Sequence, residues 1–380
     1  MTMDANHEVR ESLGAFVREL NRREWHVRLG PARSFEQYAY NYYAHQDRFG
    51  SGFVIDGRPV PYFHPNRSYH DEIIWLNQKV YYDPKATFRD KLLNSAAVKF
   101  YGPSRTIEII TGHADVPGLE RTEHPWIQFA APDLRTYHRY VEKLRHNLDT
   151  SVGRGEKIWG TTELRTSLQT AARNHLRRVT REEKRPLHPL DMVTWIDHFG
   201  GDAVPFYRNK PTMEQSYEWL TRLEGVGNYY GYHLSSNLAR MPGVGVRALM
   251  DRQTSDWPAD WHGNLDENAD YVVAGPGSMA TLRALYPSAR INVKTAQDMI
   301  LAIRDDQEEF FGITGRNDLM YLDEATELGR FTTFGIEIAL CQYNVFDRLR
   351  GDPRLAVNRA QAPISREGVT KSHRTLEDFF

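Results

Sequence analysis

Apolar residues recur at helical spacing from near the start of the chain. Val9, Leu13, Phe16, Val17 and Leu20 fall on one face of residues 5–24, which predicts an amphipathic helix. The same spacing predicts helices over 68–82, 86–99, 133–149, 161–182, 211–222, 295–310 and 328–350. Residues 35–63 are aromatic and broken by Gly and Pro; they predict a helix to about residue 46, then a loop or hairpin. Strand signals are few. Thr106–Thr111 is one short β-like run. Asp191 reads as the N-cap of a short apolar helix that Gly200 and Gly201 stop. The expected class is therefore mainly α. A weak boundary near 155–190 suggests residues 1–155 as an N-terminal α-rich region of unknown role, 156–352 as a second helical domain, and 353–380 as a tail with little pattern.

Composition narrows the picture. The chain has 380 residues, 40% of them hydrophobic, enough for one large or two ordinary globular domains. There is no apolar run of membrane-spanning length, and the opening stretch "MTMDANHEVRESLGAFVREL" is charged and lacks the apolar core of a signal peptide. A soluble cytoplasmic protein is the expectation. The lone cysteine, Cys341, excludes an internal disulfide framework, a four-cysteine iron–sulfur cluster and a cysteine-rich zinc site. A net charge of -2 argues against a protein that coats nucleic acid non-specifically, but it leaves room for a local basic surface. The chain has no phosphate-binding G-x-x-x-x-G-K-[ST] loop, no G-x-G-x-x-G after a strand and no H-E-x-x-H, which removes several common enzyme classes.

Leu223-Glu224-Gly225-Val226-Gly227 lies between two helical patterns. Glycines there permit backbone shapes that side chains block, and the helix that follows would point free N–H groups, Asn228 among them, at an anion. The alternative is a helix connection with no ligand. A second stretch, "MPGVG" at 241–245, offers a similar turn. The cluster "RNHLRRVTREEKR" places Arg173, Arg177, Arg181 and Lys184 near one helical face. That face suits DNA phosphates, or it is a solvated face with Glu182 and Glu183 as partners.

"DYVVAGPGSMATLRALYP" combines an Asp, an apolar strand-like run, Gly-Pro-Gly, a small residue and an apolar helix; a later helix carries Glu337 and Leu340-Cys341. Together these resemble the α-glutamyl/putrescinyl thymine pyrophosphorylase family, the amino acid:DNA transferases, whose helical domain also accompanies 5-hydroxymethyluracil DNA kinases. The resemblance covers about residues 190–350 and implies a helix-hairpin-helix DNA glycosylase-like domain with an additional N-terminal α-rich region. It implies an enzyme, found largely in bacteriophages, that flips a base and displaces pyrophosphate from 5-pyrophosphoryloxymethyl-uracil in double-stranded DNA with an amino acid or polyamine. Mg²⁺ is a candidate ion and no cofactor is otherwise implied.

On this resemblance Asp270 is the expected base, or else a helix or turn cap. Glu337 orients the amine or a metal, or is a buried structural carboxylate. Gly275, Gly277, Ser278 and Arg283 are the expected substrate-binding residues, and Gly225, Val226, Gly227, Asn228, Arg177 and Arg181 the DNA-binding ones. Where the family has L-C-E-[FY]-x-K-Y, this chain has Leu340-Cys341-Gln342-Tyr343-Asn344-Val345-Phe346, so a carboxylate and a lysine are missing. A lysine two residues beyond the hairpin, used by lyases of the glycosylase fold, is here Tyr229. The other readings are a monofunctional DNA glycosylase and a non-catalytic DNA-binding helical module.

Overall fold

A computed structural model describes residues 5–27, 54–55, 58–59, 71–102, 104–129, 134–156, 158, 162–180, 188–246, 263–266, 268–312 and 331–351. The chain is mainly helical, as the periodicity predicts. Its only described strands form a two-residue antiparallel ladder pairing Val54 with Pro59 and Ile55 with Arg58, inside the stretch expected to hold a loop or hairpin. The helix expected from 35 to about 46, the Trp257–Trp261 loop and the tail after 352 lie outside the described residues.

The chain divides into two compact units that are not consecutive in sequence: one joins Met1–His70 and Thr212–Glu214 to Gly245–Pro363, the other joins Asp71–Pro211 and Gln215–Val244 to Ile364–Phe380. The first unit gathers α1 (His7–Val27), α10 (Pro276–Leu285), α11 (Val293–Asp305), α12 (Gln307–Phe311) and α13 (Thr333–Gly351). α13 packs most closely on α10, and α1 packs on α10, α12 and α13. The apolar stripe of α1 does this work: Leu13, Phe16, Val17 and Leu20 are buried, with the Phe16 ring 5.6 Å from Tyr343 and 5.0 Å from Phe346 of α13. α1 is pinned at its start, where the Asn6 N–H donates to the Leu285 carbonyl at 2.7 Å.

The second unit holds α2 (Asp71–Leu76), a π-turn (Asn77–Tyr81), α3 (Phe88–Tyr101), α4 (Ser104–Ile110), α5 (Leu134–Gly153), α6 (Thr162–Thr180), α7 (Leu190–Arg208), α8 (Met213–Thr221, after its first residues) and α9 (Asn228–Leu238). α3 is the central helix. Residues Leu92–Tyr101 are all buried, and at the start of the helix Thr87 and Asp90 form a capping box. α3 packs against α7, α9 and α4.

Two local expectations are corrected. Thr106–Thr111 is not a strand: it lies in and just after helix α4, where Thr106 donates to the Ile158 carbonyl and Thr111 to the Ile107 carbonyl. A short run buried at every position but Glu108 carries no periodicity that separates strand from helix. Gly200 and Gly201 do not stop α7, which runs from Leu190 to Arg208. Gly200 is a packing residue, since a Cβ there would come within 2.5 Å of Leu93 Cδ1. Asp191 sits in the first turn of α7 rather than at its cap, and its carboxylate accepts from the His188 N–H at 2.7 Å. Residues 271–275, expected as strand-like, form no strand.

Candidate functional site

In the first unit, the Gly-Pro-Gly segment turns the chain into α10. Gly275 is the extended N-cap, and Pro276 takes the first helical position, where its missing N–H costs nothing. Ser278, one turn in, faces α13. Glu337 on α13 meets both: its Oε1 accepts from the Gly275 N–H at 3.0 Å and from Ser278 Oγ at 2.9 Å. Among the described residues, every hydrogen bond to the Glu337 carboxyl falls on Oε1. The side chain is buried, and burial pushes its carboxyl up to about 7, against the two hydrogen bonds that favour the ionised form.

Ser278 Oγ also lies 2.9 Å from the Gly275 carbonyl. A hydroxyl has one hydrogen to give. Ionised Glu337 takes it; protonated Glu337 can return its own hydrogen to Ser278, which then donates to Gly275. The Ser278 hydroxyl keeps an acceptor in both states.

Gly277 serves the approach of the helices. A Cβ there would lie 2.6 Å from Cys341 Sγ and 3.2 Å from the Cys341 Cα and carbonyl. Thr281 Oγ1 donates to the Leu340 carbonyl at 2.8 Å and extends the seam by a turn. Arg283 is exposed on the outer face of α10.

Asp270 is brought to the start of α13 but not into this seam. Its carboxylate is 83% exposed and pairs with Arg304 Nη1 at 2.8 Å. The same guanidinium donates to the Asn268 carbonyl and to Thr333 Oγ1, while Nε and Nη2 reach Asp305. Arg304 carried no sequence signal, because its partners lie about 30 residues away on both sides. Among the described residues, no cluster of three His, Cys, Asp or Glu is placed to hold a metal.

In the second unit, the Gly-Val-Gly turn joins α8 to α9. Gly225 has φ +79°, and a Cβ there would meet the Ser167 carbonyl oxygen at 2.6 Å and Ala171 Cβ at 2.8 Å. The left-handed shape and the contact with α6 both require glycine. Val226 is buried and anchors the turn. Gly227 is the extended N-cap of α9; a Cβ there would meet nothing within 4 Å. Gly227, Asn228 and Tyr229 are exposed, so the first N–H groups of α9 open outward.

Glu224 is held by Asn174 and, at 3.0 Å, by Arg178 of α6. Arg177 is exposed beside them, and Arg181 lies outside the described residues. The Tyr229 ring stands over Lys99 Nζ at 5.3 Å, and Lys99 itself pairs with Glu72 at 3.2 Å, both nearly buried.

The second turn, "MPGVG", spans the division between the units at Val244 and Gly245. Its Gly243 has φ +82°.

No known family model, curated protein or solved structure matches this chain. No described helix is long and apolar enough to cross a membrane.

Proposed function

We propose that the protein modifies DNA, displacing pyrophosphate from 5-pyrophosphoryloxymethyl-uracil in the duplex with an amino acid or polyamine. The observation that carries this reading is Glu337, a buried carboxyl poised at about 7 at the opening of α10. An amine attacks only when neutral, and an acceptor titrating near the working pH is the efficient base. In the displacement the amine nitrogen bonds the exocyclic methylene, the carbon–oxygen bond breaks, and pyrophosphate leaves with the electron pair. Glu337 takes the proton. The Gly277 and Ser278 N–H groups open α10 and have no acceptor within it, which favours an anion there. The base role falls to Glu337 rather than Asp270, because Asp270 is an exposed partner of Arg304.

DNA is held, on this reading, by the Gly-Val-Gly turn, whose exposed Gly227–Tyr229 N–H groups suit a backbone phosphate. Residues 71–211 of the same unit carry more Lys and Arg than Asp and Glu, while the whole chain is slightly acidic.

The test is mass spectrometry of nucleosides from DNA carrying the pyrophosphorylated base, incubated with the protein and a mixture of amino acids and polyamines. A nucleoside heavier by an amine, lost in Glu337→Gln, is the expected result. Release of free base or abasic sites identifies a glycosylase instead. DNA retention with no chemical change identifies a binding module.

A further inference from the structure

Residues 304–307 bracket two distant stretches of chain. Arg304 Nη1 holds the loop before α10 through the Asn268 carbonyl at 3.1 Å and the Asp270 carboxylate at 2.8 Å. It holds the first residue of α13 through Thr333 Oγ1 at 2.9 Å, and Thr333 in turn donates to the Ala269 carbonyl at 2.9 Å. Gln307, wholly buried, completes the bracket: its amide donates to the Phe331 carbonyl at 2.8 Å and accepts from the Phe331 N–H at 2.7 Å. The two stretches so joined lead straight into the two halves of the Glu337 seam. Gly275 follows Asp270 by five residues, and Glu337 follows Thr333 by one helical turn.

We infer that Arg304 is a positioning residue for Glu337: by tying the loop before α10 to the start of α13 it fixes the register in which the Glu337 carboxyl meets Gly275 and Ser278 away from water. An ion pair whose carboxylate is as exposed as that of Asp270 contributes little stability by itself. A guanidinium whose Nη1, with two hydrogens, lies within reach of a carbonyl, a hydroxyl and a carboxylate is instead a geometric constraint. Loss of the bracket lets α13 shift against α10, admits water to the carboxyl and removes the cause of its raised proton affinity.

The charged side chains on the elements packed against α13 include Arg283 of α10, Lys294, Asp298, Arg304 and Asp305 of α11, and His7, Glu8, Arg10, Glu11 and Arg18 of α1. Among the described residues none of them bonds Glu337.

The inference rests on the reading of Glu337 as the working base, but its test needs no substrate. Urea-unfolding stability is measured from about pH 5 to about pH 8 for the wild type, Arg304→Gln, Glu337→Gln and the double variant. The Glu337→Gln background subtracts the pH dependence that other groups contribute. Arg304→Gln is expected to lose at least half of the Glu337-dependent decline, and adding Glu337→Gln then changes the profile little further. A uniform loss of stability at every pH, with the decline intact, overturns the inference. Should Arg304→Gln not fold, Thr333→Val removes the shared hydroxyl without removing a charge, and the same loss of decline is expected. A protein that shows this coupling but transfers no amine keeps the positioning role and loses the reaction. An active protein whose decline survives Arg304→Gln does the reverse.

Discussion

Ser278 Oγ stands 2.9 Å from Glu337 Oε1 across the closest helix pair in the first unit. The bond favours the ionised carboxylate, while burial opposes it and wins. Because the folded-state value lies above the ordinary 4.5, the folded protein keeps a proton that the unfolded chain has lost between those values. Stability from this group is full below the unfolded value and declines as pH rises through about 7. The whole decline is on the order of 3 kcal/mol. Glu337→Gln should flatten it in urea titrations. Ser278→Ala should extend it to higher pH, because the bond that favours ionisation is gone. A wild-type stability that rises between pH 5 and 8 after the histidines are accounted for contradicts the assignment.

Gly225→Ala should cost roughly 2–4 kcal/mol, since it combines a left-handed backbone with a Cβ driven into the Ser167 carbonyl. Gly227→Ala, where a Cβ meets open space, should cost less than about 1 kcal/mol. Equal losses at the two positions in equilibrium unfolding would show that the turn is not held on α6 as described.

Gly227→Asp separates stability from binding. An acidic N-cap on α9 should stabilise the helix by about 0.5–1 kcal/mol. It also places a carboxylate where a DNA phosphate is proposed to sit. Fluorescence-anisotropy titration with duplex DNA should show affinity falling about tenfold or more while the unfolding midpoint rises. Unchanged affinity would remove the turn from the DNA surface.

Arg177→Ala should weaken duplex binding with little effect on stability, because the side chain is exposed. If it neutralises one phosphate, the slope of log K against log salt should shrink by about 0.9. An unchanged slope assigns Arg177 to the solvated face of α6.

Gly277→Ala should destabilise the protein by roughly 1–3 kcal/mol through overpacking against α13. Cys341→Ala in the same chain should recover part of that loss by removing the sulfur. It should not recover all of it, because the Cys341 Cα and carbonyl remain 3.2 Å from the new methyl. Full recovery would mean that the backbones have room the structure does not give them.

Much of the helical order was legible from spacing: α1, α3, α5, α6, α8, α9, α11 and α13 fall close to where the apolar stripes put them. The turn between α8 and α9 was legible because only glycine tolerates its geometry. The glycines of α7 misled, since a helix-breaking residue is also the residue that lets two helices meet, and Gly200 needs its neighbour Leu93 to be understood. In the Gly-Pro-Gly segment the residue types were visible but their partners were not. That Gly275 and Ser278 turn to Glu337, or that Gly277 fits Cys341, depends on packing across some 60 residues of chain. Arg304 was invisible for the same reason. An arginine near a helix end looks like any exposed arginine until three separate stretches converge on it.

The packing of α1 against α10, α12 and α13 has a consequence for biosynthesis. α1 (His7–Val27) buries its apolar face on helices that begin at Pro276 and are therefore synthesised much later than it is. At translation rates of about 5–20 residues per second, Leu13, Phe16, Val17 and Leu20 wait on the order of tens of seconds for their partners. Through that interval a nascent chain carries this apolar helix without the partners it has in the fold, a surface that chaperones bind and that crowded polysomes would aggregate. Synthesis slowed after residue 27 should therefore lower the soluble yield, and faster elongation should raise it.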